Sequence, residues 1–84
     1  MIYSVVVDVT LRDGIADPEG ATIERALPAL GFSGISSMRS GKSFSFTVDA
    51  VNEEAARDTA LSVAERLLSN PVIERSSVRI EGAQ

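Results

Sequence analysis

The chain of 84 residues contains no cysteine, histidine or tryptophan, and its aromatic residues are one tyrosine and three phenylalanines. Without cysteine it can form neither a disulfide bond nor a thiolate metal site. Without histidine it lacks the commonest general base and the commonest metal ligand at neutral pH, and a Ser-His-Asp triad is excluded. We therefore predict no catalytic residue, no metal site and no cofactor in this chain alone.

Length and charge narrow the class of protein further. Residues 1–84 are enough for one small domain, and a domain of this size often gains buried area by oligomerising. Twelve acidic and eight basic side chains give a formal net charge of −4. Because this charge is repelled by phosphate and by anionic lipid, we expect neither nucleic acid nor membrane as a partner. The start of the chain lacks the basic region of a signal peptide, so we expect a cytoplasmic location.

Alternating apolar and polar side chains predict the strands. The clear patterns cover three segments: residues 2–12, 43–50 and 72–80. Residues 34–39 give a weaker strand pattern, and a turn at Ser40-Gly41 is predicted to join them to the next strand as a hairpin. Residues 81–84 are predicted to be a loose tail.

The first helix has clear start and stop signals. Asp17 is a good N-cap and Pro18 suits the first helical position. Apolar residues recur at helical spacing over residues 18–30. Pro28 removes a backbone hydrogen bond and clashes with the preceding turn, so we expect a kink there or a break near Leu27.

The second helix completes a β-α-β-β-α-β order. It begins after the N-cap residue Asn52 and ends at Asn70-Pro71. The simplest packing of this order is an α+β fold of the ferredoxin-like plan, in which a four-stranded antiparallel sheet carries both helices on one face. The second helix has a broad apolar face, which favours association with another protein.

Two other kinds of binding compete with protein association. Arg39 and Lys42 flank Gly41, and this turn could hold a phosphate or a partner carboxylate, or could be a solvated basic turn. RNA-recognition modules share the element order but need aromatic side chains on the exposed sheet face. Here the aromatic side chains fall on the core-facing register, so RNA binding is disfavoured.

Four segments, in their order and spacing, resemble the PurS family, the small subunit of phosphoribosylformylglycinamidine synthase. They are Asp17-Pro18-Glu19-Gly20, Leu30-Gly31-Phe32, Arg39-Ser40-Gly41-Lys42 and Asn70-Pro71-Val72-Ile73-Glu74. The resemblance identifies a set of structural motif residues. They are Asp17, Pro18, Gly20, Gly31, Asn70, Pro71, Ile73 and Glu74.

The resemblance implies a non-catalytic subunit of a purine-biosynthesis ligase. Such a subunit joins a large synthetase (PurL-type) and a glutaminase (PurQ-type), supports ammonia transfer between them, and forms a homo-oligomer, a dimer or tetramer. From this resemblance we predict that Arg39, Gly41 and Lys42 lie at a contact with a partner subunit. The alternative is an ACT-like dimeric regulatory module, which shares the element order and binds a small molecule.

Overall fold

A computed structural model describes residues 1–84. The strands are β1 (Ile2–Leu11), β2 (Gly41–Asp49) and β3 (Glu74–Ala83). The helices are α1 (Pro18–Ala26) and α2 (Glu53–Val63). A 3-10 turn at Pro28–Leu30 follows α1, and a π-helical turn at Ala64–Leu68 follows α2. None of the helices has the length and apolar character needed to cross a membrane.

The strands form one antiparallel sheet in the order β2-β1-β3. The central strand β1 places Val5 opposite Phe46 of β2 and opposite Ile80 of β3. The α+β class is confirmed, but the sheet has three strands, so the four-stranded ferredoxin-like plan is wrong in this detail.

The predicted strand over 34–39 is absent, and so is the hairpin at Ser40-Gly41. Gly34 and Ser37 have positive φ angles of 78° and 58°, which interrupt an extended backbone. Side chains near α1 take the backbone donors that a strand would use: Met38 N–H donates to Glu24 Oε1 at 2.7 Å, and Ser40 N–H donates to Asp17 Oδ2 at 2.6 Å. The segment is therefore tied to the first helix, and Gly41 begins β2.

The predicted loose tail is also wrong. β3 continues to Ala83, and Gln84 exchanges two backbone hydrogen bonds with Ile2, at 2.6 and 3.0 Å. These bonds extend the ladder to the final residue, since the polar side chains there do not prevent pairing of the backbone.

The hydrophobic core lies between the sheet and α2. Val5, Val7 and Val9 of β1 are at most 1% exposed. Three alanines at helical spacing on α2 and the turn after it face them, each with 0% exposure: Ala56, Ala60 and Ala64. Alanine at all three positions lets the helix axis approach the sheet closely. The helix start is confirmed, because Asn52 Oδ1 accepts a hydrogen bond from Ala55 N–H at 2.8 Å.

The break at Pro28 is confirmed. α1 ends at Ala26, and a 3-10 turn replaces the α-helical winding from Pro28. Gly31 follows in the left-handed conformation with φ of 92°, which a glycine adopts without strain. The proline has no N–H to continue the ladder, so the winding changes where the sequence predicts it.

Residues 15–40, which we call the arm, extend beyond the sheet. α1 makes no extensive contact with the sheet or with α2, so the expectation that both helices cover one sheet face is not met. The molecule measures 50 × 28 × 15 Å, and its radius of gyration is 16.2 Å. A compact chain of this length has a radius of gyration of about 12 Å. Only Asp17 and Gly20 of the arm are buried.

Candidate functional site

One end of the sheet, which we call the arm end, collects most of the motif residues. There β1 finishes while β2 and β3 begin, so that Thr10 pairs with Gly41 and Leu11 pairs with Glu74. The arm leaves and returns at this end, and the turn that precedes β3 lies beside it. Segments far apart in the sequence therefore meet here.

Asp17 holds the two ends of the arm together. Its Oδ1 accepts hydrogen bonds from Gly20 N–H at 2.9 Å and from the Ser40 hydroxyl at 2.8 Å. Its Oδ2 accepts one from Ser40 N–H at 2.6 Å. The residue thus caps α1, as the sequence predicts, and also fixes the chain just before β2.

These contacts keep Asp17 ionised. The backbone N–H of Ser40 is the main cause, followed by the N–H of Gly20 and the Ser40 hydroxyl, and together they lower the pKa of Asp17 from 3.8 to about 2. Burial opposes this change, while the positive charge of Arg39 adds to it. Hydrogen bonds to a carboxylate favour its charged form, so the base of the arm carries a fixed negative charge at neutral pH.

Gly20 is required at this point by close packing. A Cβ atom added to it would lie 2.7 Å from Asp17 Oδ2 and 2.7 Å from the carbonyl oxygen of Met38. Both atoms belong to the contact between the start of α1 and residues 38–40, which lead into β2. The glycine therefore allows residues 38–40 to lie directly against the helix.

The turn before β3 is organised by Asn70. Its Oδ1 accepts a hydrogen bond from Val72 N–H at 3.2 Å, and its N–H donates to Glu74 Oε1 at 2.7 Å. Its carbonyl oxygen accepts from the N–H groups of Ile73 and Glu74 at 3.1 and 2.8 Å. The family-like Asn-Pro-Val-Ile-Glu segment is thus one closed turn.

Arg12 joins this turn to the end of β1. Its Nε donates to the carbonyl oxygen of Pro71 at 2.9 Å, and its backbone N–H donates to the carbonyl oxygen of Ile73 at 2.8 Å. The sequence alone did not single out Arg12, because its partners are backbone atoms roughly sixty positions away.

A cavity of about 230 Å³ opens between the base of the arm and this turn. Its lining residues come from the end of β1, from the base of the arm and from the first residues of β2 and β3. They are Val9, Leu11, Asp17, Pro18, Glu19, Ser40, Gly41, Lys42 and Glu74. Lys42 Nζ lies 3.9 Å from Glu74 Oε2, and the lysine side chain is 61% exposed. The cavity therefore presents one cation among three carboxylates.

The predicted contact residues lie together, although not in a hairpin turn. Arg39 precedes β2, and its Nη2 donates to the carbonyl oxygen of Ile15 at 3.0 Å. Gly41 and Lys42 are the first residues of β2. A Cβ at Gly41 would lie 2.8 Å from the carbonyl oxygen of Val9, so this glycine too permits a close approach.

Most motif residues belong to the arm end, and one does not. Asp17, Pro18 and Glu74 line the cavity, Gly20 packs behind Asp17, and the remaining members of the Asn70–Glu74 turn lie beside it. Gly31 lies farther along the arm, at the end of the 3-10 turn. Ser40, which supplies two of the three hydrogen bonds to Asp17, was not predicted from sequence.

The arrangement is suited to fixing structure and contacting a partner. Every buried side-chain nitrogen and oxygen atom has a hydrogen-bond partner. No group of three or more acidic side chains is placed to share a metal ion. What the arm end offers is a small polar cavity in which Lys42 and Glu19 are exposed while Asp17 and Glu74 are largely buried.

Comparison with known proteins gives a consistent result. The sequence profile described as PurS, phosphoribosylformylglycinamidine (FGAM) synthase, matches residues 4–82. The chain is 32% identical over 80 residues to phosphoribosylformylglycinamidine synthase subunit PurS of Methanocaldococcus jannaschii, covering 95% of this chain and 96% of that protein.

Solved structures agree with the sequence comparison. The chain resembles the crystal structure of the purS subunit of phosphoribosylformylglycinamidine synthase from Thermotoga maritima, with a TM-score of 0.89 and 37% identity, over 95% of this chain and 92% of that one. It also resembles a chain in the structure of PurLQS from Thermotoga maritima, with a TM-score of 0.88 and 37% identity, over 95% of this chain and 98% of that one.

Proposed function

The chain belongs to the PurS family of phosphoribosylformylglycinamidine synthase, and from this premise we propose that it is the non-catalytic small subunit of that synthase. The observation that carries the proposal is its likeness, in sequence and fold over nearly its whole length, to a chain of the Thermotoga maritima PurLQS structure. Its partners are then a PurL-type synthetase and a PurQ-type glutaminase. No observation favours the alternative of an ACT-like sensing module.

In this role the chain bridges the two catalytic subunits during purine biosynthesis. The complex converts formylglycinamide ribonucleotide to the amidine, using ATP and using glutamine as the source of ammonia. Free ammonia is protonated in water at neutral pH and ceases to be a nucleophile. A subunit that holds the two active sites together and excludes water between them therefore raises the yield without contributing an acid or a base.

A reconstituted reaction tests the proposal. We expect that adding this chain to the PurL-type and PurQ-type subunits of its own organism raises glutamine-dependent amidine formation by about tenfold or more, a change of about 1.4 kcal/mol or more. Formation of the product from ammonia by the synthetase subunit should not need the chain. If glutamine-dependent product forms equally well without it, the proposed role is wrong.

The partner contact is proposed at Arg39, Gly41 and Lys42. Arg39 is exposed just before β2, and the Lys42 side chain is largely exposed beside the polar cavity. Exposed charges of this kind steer association and fix the register of an interface. We extend the proposal to a cytoplasmic location and to a homo-oligomer, a dimer or tetramer, formed by single domains of residues 1–84.

The double substitution Arg39→Ala with Lys42→Ala is expected to weaken binding to the partner subunits by roughly tenfold, or about 1.4 kcal/mol, because two charge contacts are lost at the rim. The fold should persist, since both side chains bond only at the surface. Binding is measured by calorimetry, and circular dichroism checks the fold.

The control is Arg57→Ala with Arg79→Ala, which removes the same charge from the first turns of α2 and from the middle of β3, away from the arm end. Equal binding by both double variants would show that Arg39 and Lys42 do not form a specific contact.

A further inference from the structure

The turn before β3 presents apolar side chains to the surface. Pro71 is exposed, Val72 is 81% exposed and Ile73 is 37% exposed, and we call these three residues the tip. Exposed turns are usually rich in glycine, asparagine, aspartate and serine. Here the polar residues Asn70 and Glu74 stand at the two ends of the turn, and the apolar residues stand between them.

The polar groups of the turn bond to the turn itself. The side-chain and carbonyl oxygens of Asn70 accept all three backbone N–H groups that follow Pro71. The Glu74 side chain is 14% exposed, and its Oε1 accepts the N–H of Asn70. Arg12 donates to the carbonyl oxygens of Pro71 and Ile73. The tip therefore offers few hydrogen-bonding groups to a partner, and a contact with it is mainly apolar.

The same contacts make the tip rigid. Pro71 restricts the backbone at the start of the tip, and the hydrogen bonds of Asn70 close the turn behind it. A surface that is already ordered loses little conformational entropy when it binds, so more of its contact energy appears as affinity. An apolar side chain held in this way is suited to anchor an interface.

A cation without an acidic partner lies beside the tip. Arg12 is exposed, and its Nε donates to the carbonyl oxygen of Pro71 at 2.9 Å. The arginines of α2 and β3 form ion pairs with neighbouring carboxylates, and they are Arg57, Arg75 and Arg79. Arg12 forms none, so its two Nη atoms remain available to a carboxylate of another protein.

We propose that the tip and Arg12 form a second contact with one of the two catalytic subunits, in which Val72 enters a shallow apolar pocket and a carboxylate at the rim of that pocket binds Arg12. The inference rests on the proposed function and names a further surface for it. The tip adjoins the contact proposed at Lys42, because Glu74 closes the turn and its Oε2 lies 3.9 Å from Lys42 Nζ. One subunit can therefore cover both contacts.

A catalytic subunit fits the tip better than a small molecule or a second copy of this chain. Small-molecule sites are concave, and no tip residue lines either cavity of the chain. A second copy would have to offer an apolar pocket with an acidic rim. One of its cavities is lined mostly by polar residues, and the other contains Arg66, a cation that would repel Arg12.

Calorimetric titration against the PurL-type and the PurQ-type subunit, each measured separately, tests the contact. We expect Val72→Asp to raise the dissociation constant for one of them at least about tenfold. Val72→Lys should raise the same constant by a smaller factor, because the carboxylate at the rim attracts a cation. Val51→Asp is the matched control and should bind like the natural chain. Val51 is also an exposed valine, at 86%, but it follows β2 at the opposite end of the sheet.

Unchanged binding of Val72→Asp to both subunits would overturn the proposal, and equal losses for aspartate and lysine would overturn the carboxylate at the rim. Circular dichroism and sedimentation velocity should show the fold and the oligomeric state of the natural chain. A Val72→Asp variant whose oligomer dissociates would place the tip between copies of this chain, which also overturns the proposal.

The proposed function is decided separately by the natural chain. If the natural chain binds neither subunit, the proposed function itself is wrong. If the natural chain binds and supports the reconstituted reaction while Val72→Asp binds equally well, only the tip contact is wrong.

Discussion

Replacing Asp17 with alanine is expected to lower the melting temperature by roughly 10 °C, the largest change we expect for any single polar side chain of the arm. The carboxylate accepts three hydrogen bonds, from Gly20 N–H, Ser40 N–H and the Ser40 hydroxyl. Alanine leaves these donors without an acceptor and also removes the cap of α1. Differential scanning calorimetry measures the change.

The pH dependence of the melting temperature shows how much of the stabilisation by Asp17 comes from the charge of its carboxylate. The pKa of Asp17 is about 2 in the folded protein and 3.8 where the carboxyl is free of these contacts, as in an unfolded chain. A lowered pKa stabilises the fold at pH values above the unfolded value, and that stabilisation is lost as the pH falls toward the folded value. The difference in melting temperature between the natural chain and Asp17→Asn should therefore shrink as the pH falls from about 4 to about 2.

The control for Asp17 is Asp13→Ala. The Asp13 side chain is 98% exposed and pairs with Arg75 at the surface, so its loss changes the same charge with little effect on stability. Similar losses for Asp13→Ala and Asp17→Ala would mean that the arm is not held by the contacts of Asp17. A difference between Asp17→Asn and the natural chain that stays constant down to about pH 2 would contradict the stabilising role of the charge.

Replacing Ala60 with leucine is expected to lower the free energy of unfolding by about 1–3 kcal/mol. Ala60 is fully buried where α2 meets the buried valines of β1. Leucine adds three carbon atoms where α2 presents small alanine side chains to the buried valines of β1, so α2 must shift away from the sheet. Urea unfolding followed by circular dichroism measures the loss.

Thr59→Leu is the matched control for this substitution. Thr59 is the preceding residue on α2 and is exposed, so leucine there adds apolar volume without displacing the helix. We expect its stability to stay within about 0.5 kcal/mol of the natural chain. If Ala60→Leu is equally harmless, α2 does not pack on the sheet as closely as described.

Local features of the fold follow from the sequence. Alternation of side chains predicts β1 and the core face of β2, which the buried Val5, Val7, Val9 and Val48 confirm. Start signals place both helices, and Pro28 places the break after α1. These features depend on each segment's own backbone and near neighbours, so a single sequence contains the information.

The candidate site is predictable only in part. Resemblance to the PurS family selects most of the residues that line the cavity, including Asp17, Lys42 and Glu74. The resemblance includes Ser40 only as part of the Arg39–Lys42 segment, and it predicts the role of neither Ser40 nor Arg12. Ser40 bonds to Asp17 and Arg12 bonds to the carbonyl oxygen of Pro71, and folding brings each pair together from distant positions in the sequence. A serine or an arginine in the sequence does not by itself indicate such a contact.

The α+β class, the core strand, the helix caps and the family all follow from the amino-acid sequence. That residues 34–39 form no strand depends on the folded chain, since Glu24 takes the backbone N–H of Met38 and Asp17 takes that of Ser40. The pairing of the last residues with β1 and the extension of the arm away from its own sheet likewise become visible only in the folded chain. Those outcomes depend on competition between distant hydrogen-bond partners and on which apolar surfaces remain uncovered, and neither is encoded in the periodicity of one segment.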